Sequence, residues 1–374
     1  MVTGGGAPSS SGTASGPLPD DFAWMARALD LAPLGWGQVS PNPLVGAVVV
    51  ARGKLVGEGA HRRYGEAHAE VEALAAAGAR ARGATLYVTL EPCVHVGKTP
   101  PCVDAIIHAG IARVVIALRD PNPEAGGGAE RLRAAGLEVD VGVLTEPAAE
   151  MNAPFLNSFR SDRPWVTLKL AMSIDAAIAT TAGTTSWLTG APARQKVHYL
   201  RAGSDAIAVG MGTVLADDPM LTVRDADPPR VAPTRVIFSR TGRLPLTSRL
   251  AQRTDEGPVV VFATVPDPSY EQALGELGVE VIGAGSLEEA LRTLRARGIQ
   301  SVLVEGGAVL AASLIETDLV DRIVLFQAPV ILGRHALPAF GHVTRSISEA
   351  YRMRPLHSEM IGDDHMMVFA PLGR

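Results

Sequence analysis

The chain is poor in the residues that mark several large classes of protein. It has two cysteines, Cys93 and Cys102, in 374 residues, so the disulfide framework that staples small secreted domains is excluded. It has no apolar run long enough to cross a bilayer. The longest, around Leu44–Ala51, falls far short of the roughly 20 residues a spanning helix needs. It has no excess of positive charge: 34 Lys and Arg stand against 39 Asp and Glu, for a net charge of −5, and aromatic residues make up only 5%. That balance argues against a protein that coats nucleic acid. Short-period repeats and coiled-coil heptads are missing too. Residues 1–19 are Gly, Ser, Ala and Pro with almost no bulky apolar groups, so they cannot bury enough surface to offset their ordering entropy. They are expected to form a disordered tail. With no basic start and no apolar core, this segment is not a secretory signal, and the default address is the cytoplasm.

What remains is an ordinary globular mix, 47% hydrophobic and 20% charged, in a length that favours two or three domains. Asp20-Asp21 is expected to cap a helix whose apolar positions include Phe22, Met25, Ala26 and Leu29. Leu44–Val50 is expected to be a buried strand, with a turn at Gly53 and Lys54–Gly59 returning as its hairpin partner, and further strands are expected at Thr85–Leu90, Arg113–Ala117 and Glu138–Val143. Helices at Ala67–Ala77, Cys102–Ala109 and Ala129–Ala135 each end at a glycine. This alternation predicts an α/β domain over 20–150, with helices packed on a largely parallel sheet. Pro147, Asn152, Pro154, Asn157 and Pro164 crowd the next stretch, and 151–163 reads as a linker. A second α/β domain, 164–374, opens with a strand at Trp165–Ala171. Further strands are expected at Ala206–Val209, Arg235–Phe238, Val259–Ala263, Ser301–Val304 and Arg322–Gln327. Helices include Ala191–Ala202 and Leu287–Arg297, and mixed strand and loop follow from Met353.

The first half carries a zinc-type constellation. His68-Ala69-Glu70 opens the alanine-rich helix, Pro92-Cys93 follows the strand Thr85–Leu90, and Pro101-Cys102 opens the next helix. One imidazole and two thiolates suit Zn2+, and a catalytic zinc keeps a fourth position for water, whose pKa it lowers towards neutrality. Glu70, two residues past the ligand His68, is placed to be the proton carrier. Cys102 at a helix N-terminus gains from the helix dipole, which favours the thiolate. The competing readings are a capping His with two inert buried cysteines, or a structural zinc with His95 as fourth ligand.

The His-x-Glu and Pro-Cys elements match the zinc-deaminase signature, except that the cysteines are further apart. The insert Cys93-Val-His-Val-Gly-Lys-Thr-Pro-Pro-Cys102 resembles the riboflavin-pathway branch of those deaminases. Pro41-Asn-Pro-Leu-Val-Gly-Ala-Val-Val49, Gly59-Ala-His61, Leu90-Glu-Pro-Cys93 and Asp120-Pro-Asn-Pro123 agree with it. From Asp20 onward the chain is similar to the bifunctional RibD family, a pyrimidine deaminase fused to a reductase. The resemblance implies a cytidine-deaminase-like α/β/α domain acting on 2,5-diamino-6-ribosylamino-4(3H)-pyrimidinone 5′-phosphate. Asn42 would hold the pyrimidine edge. His61, His95, Lys98 and Thr99 would meet the ribose-phosphate end, where a cation and a hydroxyl suit a phosphate.

In the second half, Val304-Glu305-Gly306-Gly307 leads from a strand into a helix, a phosphate cradle on physical grounds but a common tight turn as well. Gly210-Met-Gly212 lacks the third glycine of a Rossmann fingerprint. Lys169-Leu-Ala-Met-Ser-Ile-Asp175, Ser186-Trp-Leu-Thr189, Thr213-Val-Leu-Ala-Asp-Asp-Pro219 and Glu305-Gly-Gly307 look like the family's reductase domain, which resembles dihydrofolate reductase. The resemblance implies that NADPH reduces the ribosyl group of 5-amino-6-(5-phosphoribosylamino)uracil to ribityl. It places Ala171, Trp187, Thr213, Asp217, Ser239 and the turn from Gly307 at NADPH, and Thr185, Arg201, Leu221, Arg224 and Glu305 at substrate. Lys169 and Asp217 are the candidates for proton movement. The resemblance also implies a homo-oligomer whose partners are small pyrimidine ribose-phosphates, with no nucleic acid and no membrane.

Departures from the family pattern are local. Val94 and Val96 stand where polar or aromatic residues are usual. Ile174-Asp-Ala-Ala177 replaces Leu-Asp-Gly followed by a basic residue. If the glycine position takes positive φ, Ala176 costs on the order of 1 kcal/mol. The rival readings are a deaminase for another base with a degenerate appendage, and a zinc-stabilised binding module for RNA, which would need a basic face.

Overall fold

The computed structural model describes residues 18–180, 187–341 and 346–372. Among them the chain separates into two compact units. One takes the described residues up to Leu34 together with Leu44–Met151. The other takes Gly35–Pro43 together with Asn152 onward. Thus Gly35–Pro43, inside the 20–150 stretch, clusters with the second unit. The 151–163 stretch read as a linker contains a helix, Ala153–Asn157. Residues 1–17 of the expected tail lie outside the described residues.

The first unit runs α1 (Pro19–Leu31), β1 (Gly46–Ala51), β2 (Lys54–Ala60), α2 (Ala69–Ala77), β3 (Thr85–Val88), α3 (Cys102–Ala109), β4 (Arg113–Ile116), α4 (Gly128–Ala134), β5 (Glu138–Val141) and α5 (Thr145–Met151). Its sheet has the order β2-β1-β3-β4-β5. Only the β3-β4 and β4-β5 pairings are parallel; β1 is antiparallel to both of its neighbours. The hairpin expected across Gly53 forms, and the expectation of a largely parallel sheet is corrected because β1 also runs antiparallel to β3. Arg52 and Gly53, both at positive φ, form a tight turn that folds β2 straight back on β1, and such a turn joins only antiparallel strands. The apolar run of β1 is buried almost throughout because helices cover both faces of the sheet.

Helix α1 starts one residue before the expected cap. Pro19, with its fixed φ, occupies the first turn, and Asp21 sits at the third helical position, where its carboxylate accepts the Leu18 amide at 2.7 Å. The same carboxylate accepts the Tyr87 hydroxyl at 2.8 Å and both Arg113 Nη groups at 2.8 and 2.9 Å, while Arg113 also donates to Asp140. This buried network ties α1 to β3, β4 and β5. Helix α2 packs closely on β2: a Cβ on Gly59 would lie 2.3 Å from the Ala69 carbonyl oxygen, so only glycine admits the helix start there.

The second unit runs α6 (Ala153–Asn157), β6 (Trp165–Met172), β7 (Ala177–Ala179), α7 (Ala191–Ala202), β8 (Ala206–Gly210), α8 (Met211–Asp217), β9 (Thr234–Ser239), α9 (Arg249–Gln252), β10 (Val259–Ala263), α10 (Pro268–Glu276), β11 (Val279–Gly283), α11 (Leu287–Ala296), β12 (Ser301–Glu305), α12 (Ala308–Glu316), β13 (Arg322–Gln327), β14 (Leu337–Pro338), β15 (Met353–Ile361) and β16 (Asp364–Pro371). Nine strands form one sheet, β11-β10-β9-β8-β12-β6-β13-β16-β15. It is parallel from β11 to β13 and is closed by the antiparallel hairpin β15-β16. The carboxyl end expected as mixed strand and loop is this hairpin, and β11 is an additional edge strand. A core of Val, Leu, Ile and Phe from the inner strands packs under α11 and α12.

One feature of that order positions a site. After β8 the chain moves outward to β9, and after β12 it moves to β13 on the far side of β6. Adjacent strands whose continuations leave in opposite directions open a crevice at their carboxyl ends, where open α/β sheets bind ligands.

Candidate functional site: a His-Cys-Cys centre and a glycine-lined crevice

In the first unit His68 is the residue capping α2, and Cys102 is the first residue of α3, behind Pro101. Cys93 lies in the turn after β3. The positive ends of two helix dipoles therefore meet one cluster. The ligand atoms of His68, Cys93 and Cys102 lie within 4.8 Å of one another, and among the described residues these three form the whole His/Cys/Asp/Glu cluster. His68 Nδ1 is 3.2 Å from Cys102 Sγ and 3.7 Å from Cys93 Sγ. Ligands on a tetrahedral zinc with bonds of about 2.0–2.3 Å stand roughly 3.5–3.8 Å apart, so the donors are already close to ligating spacing. His95 is outside the cluster. The donor set fits zinc, with Nδ1 as the imidazole ligand.

The electrostatics point the same way. The Cys102 hydrogen bond, with His68 adding to it against burial, favours the Cys93 thiolate, whereas the same contact and burial hold the Cys102 thiol up. The Cys102 backbone N–H also donates to Cys93 Sγ at 3.4 Å. The Cys93 hydrogen bond raises His68 in turn. Both sulfurs would bind a dication as thiolates, so metal binding would release the proton that Cys102 holds. Glu70, 4% exposed in the first turn of α2, is pushed up from the ordinary carboxylate range by burial. A buried carboxyl beside the cluster is of the type that carries a proton between a nucleophilic water and its substrate.

The surrounding residues are held in different ways. His61 is buried, with Nδ1 3.0 Å from the Ala67 carbonyl oxygen and its ring edge-on to His68. Thr99 Oγ1 is 3.5 Å from His68 Nε2. Lys98 Nζ lies 4.2 Å above the Tyr64 ring, and His95 Nδ1 is buried without a hydrogen-bond partner among the described residues. Asn42 belongs to the Gly35–Pro43 segment of the second unit. Val96 is exposed, whereas the Val94 amide donates to the Ala125 carbonyl.

Sequence reasoning passed over one anchoring residue. The buried Glu91 carboxylate accepts the Asp120 amide at 3.1 Å and the Ala129 amide at 2.9 Å, and so fixes the turn that carries Cys93 to the start of α4. A Cβ on Gly128 would lie 1.9 Å from the Pro92 carbonyl oxygen, which seats α4 directly on that turn. Its position immediately before Pro92-Cys93 was the signal available.

In the second unit the crevice at β8 and β12 is glycine-lined. Gly210 caps α8 and Gly307 caps α12, and a Cβ on Gly307 would stand 3.2 Å from Thr213 Oγ1. Two helix N-termini thus lie side by side at the carboxyl ends of adjacent strands, with the Thr213 side chain against Gly307 and the Leu310 side chain against Gly210. That arrangement fits the pyrophosphate of a dinucleotide such as NADPH. Ala171 and Ser239 sit at the same edge, near the ends of β6 and β9, and Ser239 Oγ accepts the Gly242 amide at 3.0 Å.

Beside the crevice Glu305 pairs in register with Lys169. Arg201 donates to both Glu305 oxygens, at 2.5 and 3.0 Å, and to the Thr222 carbonyl at 2.8 Å. Burial alone would raise Glu305, but Arg201 and Lys169 override it and hold the carboxylate at about 2. Burial lowers the Lys169 ammonium below its ordinary value, against the pull of Glu305. Asp217 is the last residue of α8 and is exposed, and Leu221 is buried at φ 52°. Arg224 is exposed, with its Nη1 3.3 Å from Thr222 Oγ1. Trp187 is 78% exposed and stacks near the Arg194 guanidinium. Thr185 lies outside the described residues. Ala176 adopts φ 57°, the left-handed conformation in which alanine carries the steric cost.

Fold and site together define a two-domain enzyme, a zinc-type hydrolytic deaminase followed by a nucleotide-dependent reductase. Residues 19–118 match the cytidine and deoxycytidylate deaminase zinc-binding region, and residues 164–367 match the RibD C-terminal domain. The chain belongs to the RibD family of riboflavin biosynthesis proteins. It is 44% identical over 352 residues to RibD of Aquifex aeolicus, covering 93% of this chain and 98% of that protein. It is 42% identical over 334 residues to RibD of Escherichia coli, covering 85% and 90%. Among solved structures, Acinetobacter baumannii RibD superposes with a TM-score of 0.82 at 38% identity, covering 95% of this chain and 99% of that one. A diaminohydroxyphosphoribosylaminopyrimidine deaminase/5-amino-6-(5-phosphoribosylamino)uracil reductase from Thermotoga maritima gives 0.81 at 38% identity, covering 94% and 98%. No helix among the described residues is long and apolar enough to cross a membrane.

Proposed function

We propose that this chain deaminates 2,5-diamino-6-ribosylamino-4(3H)-pyrimidinone 5′-phosphate and then reduces the ribosyl group of the product, 5-amino-6-(5-phosphoribosylamino)uracil, to ribityl. The observation that carries the reading is the convergence of His68, Cys93 and Cys102 with the buried Glu70 beside them. Zinc held by these three residues supplies the Lewis acidity that makes water nucleophilic at neutral pH. Glu70 takes the water proton and delivers protons to the ring nitrogen and then to the departing ammonia. His61, His95, Lys98 and Thr99 bind the ribose-phosphate end, and Asn42 the pyrimidine edge.

NADPH supplies the hydride of the second reaction, delivered to ribose C1′ of the ring-opened imine. The chain's own part is alignment. Gly307 and Thr213, at the paired helix N-termini, hold the cofactor phosphates, with Ala171, Trp187, Asp217 and Ser239 along the rest of it. Arg224 meets the substrate phosphate, and Arg201 contributes the N–H groups that Glu305 and Thr222 leave unused. Thr185 and Leu221 complete the substrate side. Lys169 and Asp217 move the proton that balances the hydride. A cytoplasmic address, a homo-oligomeric assembly and small-molecule partners belong to the same proposal.

A coupled assay tests it. The diaminopyrimidine phosphate is supplied and ammonia is measured; NADPH is then added and its absorbance followed. Ammonia release with cytidine but not with the diaminopyrimidine phosphate would remove the first half of the reading. Unchanged NADPH absorbance after complete deamination would remove the second.

A further inference from the structure

His198 belongs to none of the roles assigned above, yet it is nearly fully buried on α7, one turn before Arg201. Its Nδ1 accepts the Arg224 backbone N–H at 3.2 Å, so Nδ1 carries no proton and the imidazole is the neutral Nε2–H tautomer. Nε2 faces Asp225, 3.7 Å from its carboxylate. Three residues along the helix, Arg201 donates to the Thr222 carbonyl. The intervening segment has no regular secondary structure and departs from Leu221 at φ 52°. One face of α7 therefore grips it at two consecutive places, an acceptor for the Arg224 amide and a donor for the Thr222 carbonyl.

We propose that His198 is a positioning residue for the reductase, holding the Leu221–Arg224 segment so that the Arg224 guanidinium is presented to the phosphate of the substrate. The inference rests on the reading that Arg224 meets that phosphate. Protonating Nδ1 sets an N–H donor against the Arg224 N–H donor and releases the grip. The charged groups around the ring are Arg201 on its own helix, Arg224 and Asp225 on the segment it holds, and Glu305 on β12. Burial and the two cations keep the imidazole neutral against the two carboxylates.

The test uses the full-length enzyme with saturating NADPH and variants at two positions. His198→Leu removes the acceptor. His198→Asn keeps an acceptor oxygen at the place of Nδ1 but does not titrate. At pH 7.5, His198→Leu is expected to raise KM for 5-amino-6-(5-phosphoribosylamino)uracil about tenfold, the size of one lost hydrogen bond, with kcat and the Kd for NADPH within about twofold of wild type. His198→Asn is expected to return KM to within about threefold of wild type. The substrate phosphate itself titrates near pH 6, so KM rises in acid for every form; in His198→Asn the rise is shallower because one proton no longer counts.

Loss of kcat and NADPH affinity in His198→Leu without rescue by His198→Asn would mean a purely structural residue and would overturn the proposal. So would an unchanged KM in His198→Leu where Arg224→Ala raises it. An unchanged KM in Arg224→Ala would instead sink the underlying assignment of Arg224.

Discussion

Ala176 offers a perturbation whose magnitude can be worked from backbone geometry. It sits at φ 57°, donates its amide to the Ser173 carbonyl at 3.0 Å and accepts the Ala339 amide at 2.9 Å. Its methyl group is exposed, so replacing it by hydrogen sacrifices little packing. An L-residue in the left-handed region costs about 1–2 kcal/mol, and glycine there costs nothing sterically. Glycine gives back about 0.5–1 kcal/mol because its unfolded chain has more freedom to lose. Ala176→Gly is therefore expected to stabilise the second unit by about 0–1.5 kcal/mol, centred near 0.75. For a unit of roughly 200 residues each kcal/mol moves Tm by about 2–4 °C, so the central expectation is a rise of about 1.5–3 °C. Differential scanning calorimetry reads it directly, and a urea titration should show a higher midpoint at an unchanged slope. Ala176→Val is the opposing control, because a β-branched residue at this φ is more strained than alanine. A lower Tm for Ala176→Gly would refute the reasoning, since the backbone hydrogen bonds are the same in both forms.

The other predictions concern the two sites and the α1 network. Glu70→Gln should retain one zinc per chain by metal analysis, because the carboxylate is not in the ligand cluster. Its ammonia release should fall by about 10²–10⁴-fold, the usual share of general acid–base catalysis, and loss of the metal would contradict this. Asp217→Asn should slow NADPH oxidation at saturating substrate while ammonia release stays at the wild-type rate; equal NADPH oxidation would remove Asp217 from the proton path. Asp21, which burial would raise, is brought below its ordinary value by Arg113 and by hydrogen bonds from Leu18 and Tyr87. Its contribution is complete above the unfolded value of about 4 and is lost as pH falls through the lower folded value. Stability of the first unit should therefore decline with acid below about pH 4, and more shallowly in Asp21→Asn; parallel slopes for the two proteins would exclude Asp21 as the group responsible.

Much of this was legible along the chain because the signals are local. Strand-length apolar runs bounded by glycine located most of the inner strands, and glycine after an alanine-rich stretch located the end of α2. The spacing from His68 through Cys93 to Cys102 announced a metal centre, and the replaced glycine at Ala176 announced a strained turn. The misses were non-local. Nothing in β1 says that it runs antiparallel to β3, since that depends on where the chain places a strand that begins only at Thr85. The edge strands β11 and β15 are partly or fully exposed along most of their length and so lack the two-sided burial that makes inner strands uniformly apolar. Glu91 and His198 looked unremarkable as residue types; what marks them is the amides that come to them from Asp120, Ala129 and Arg224.

The order of residue types by itself determined the chemistry available: an imidazole and two thiols to hold a metal, a carboxylate close to them, glycines ahead of helices, and arginines for a phosphate. Those properties belong to side chains and short spans, and the chain states them directly. The tertiary structure alone decided which groups meet. It brings three ligand atoms to bonding range from two helix starts and a turn. It sets two helix N-termini side by side by reversing the strand order between β8 and β12. It commits Arg201 to Glu305 and Thr222. Such meetings are set by sheet order and helix packing, which sum weak preferences over the whole chain, so no short stretch of sequence contains them.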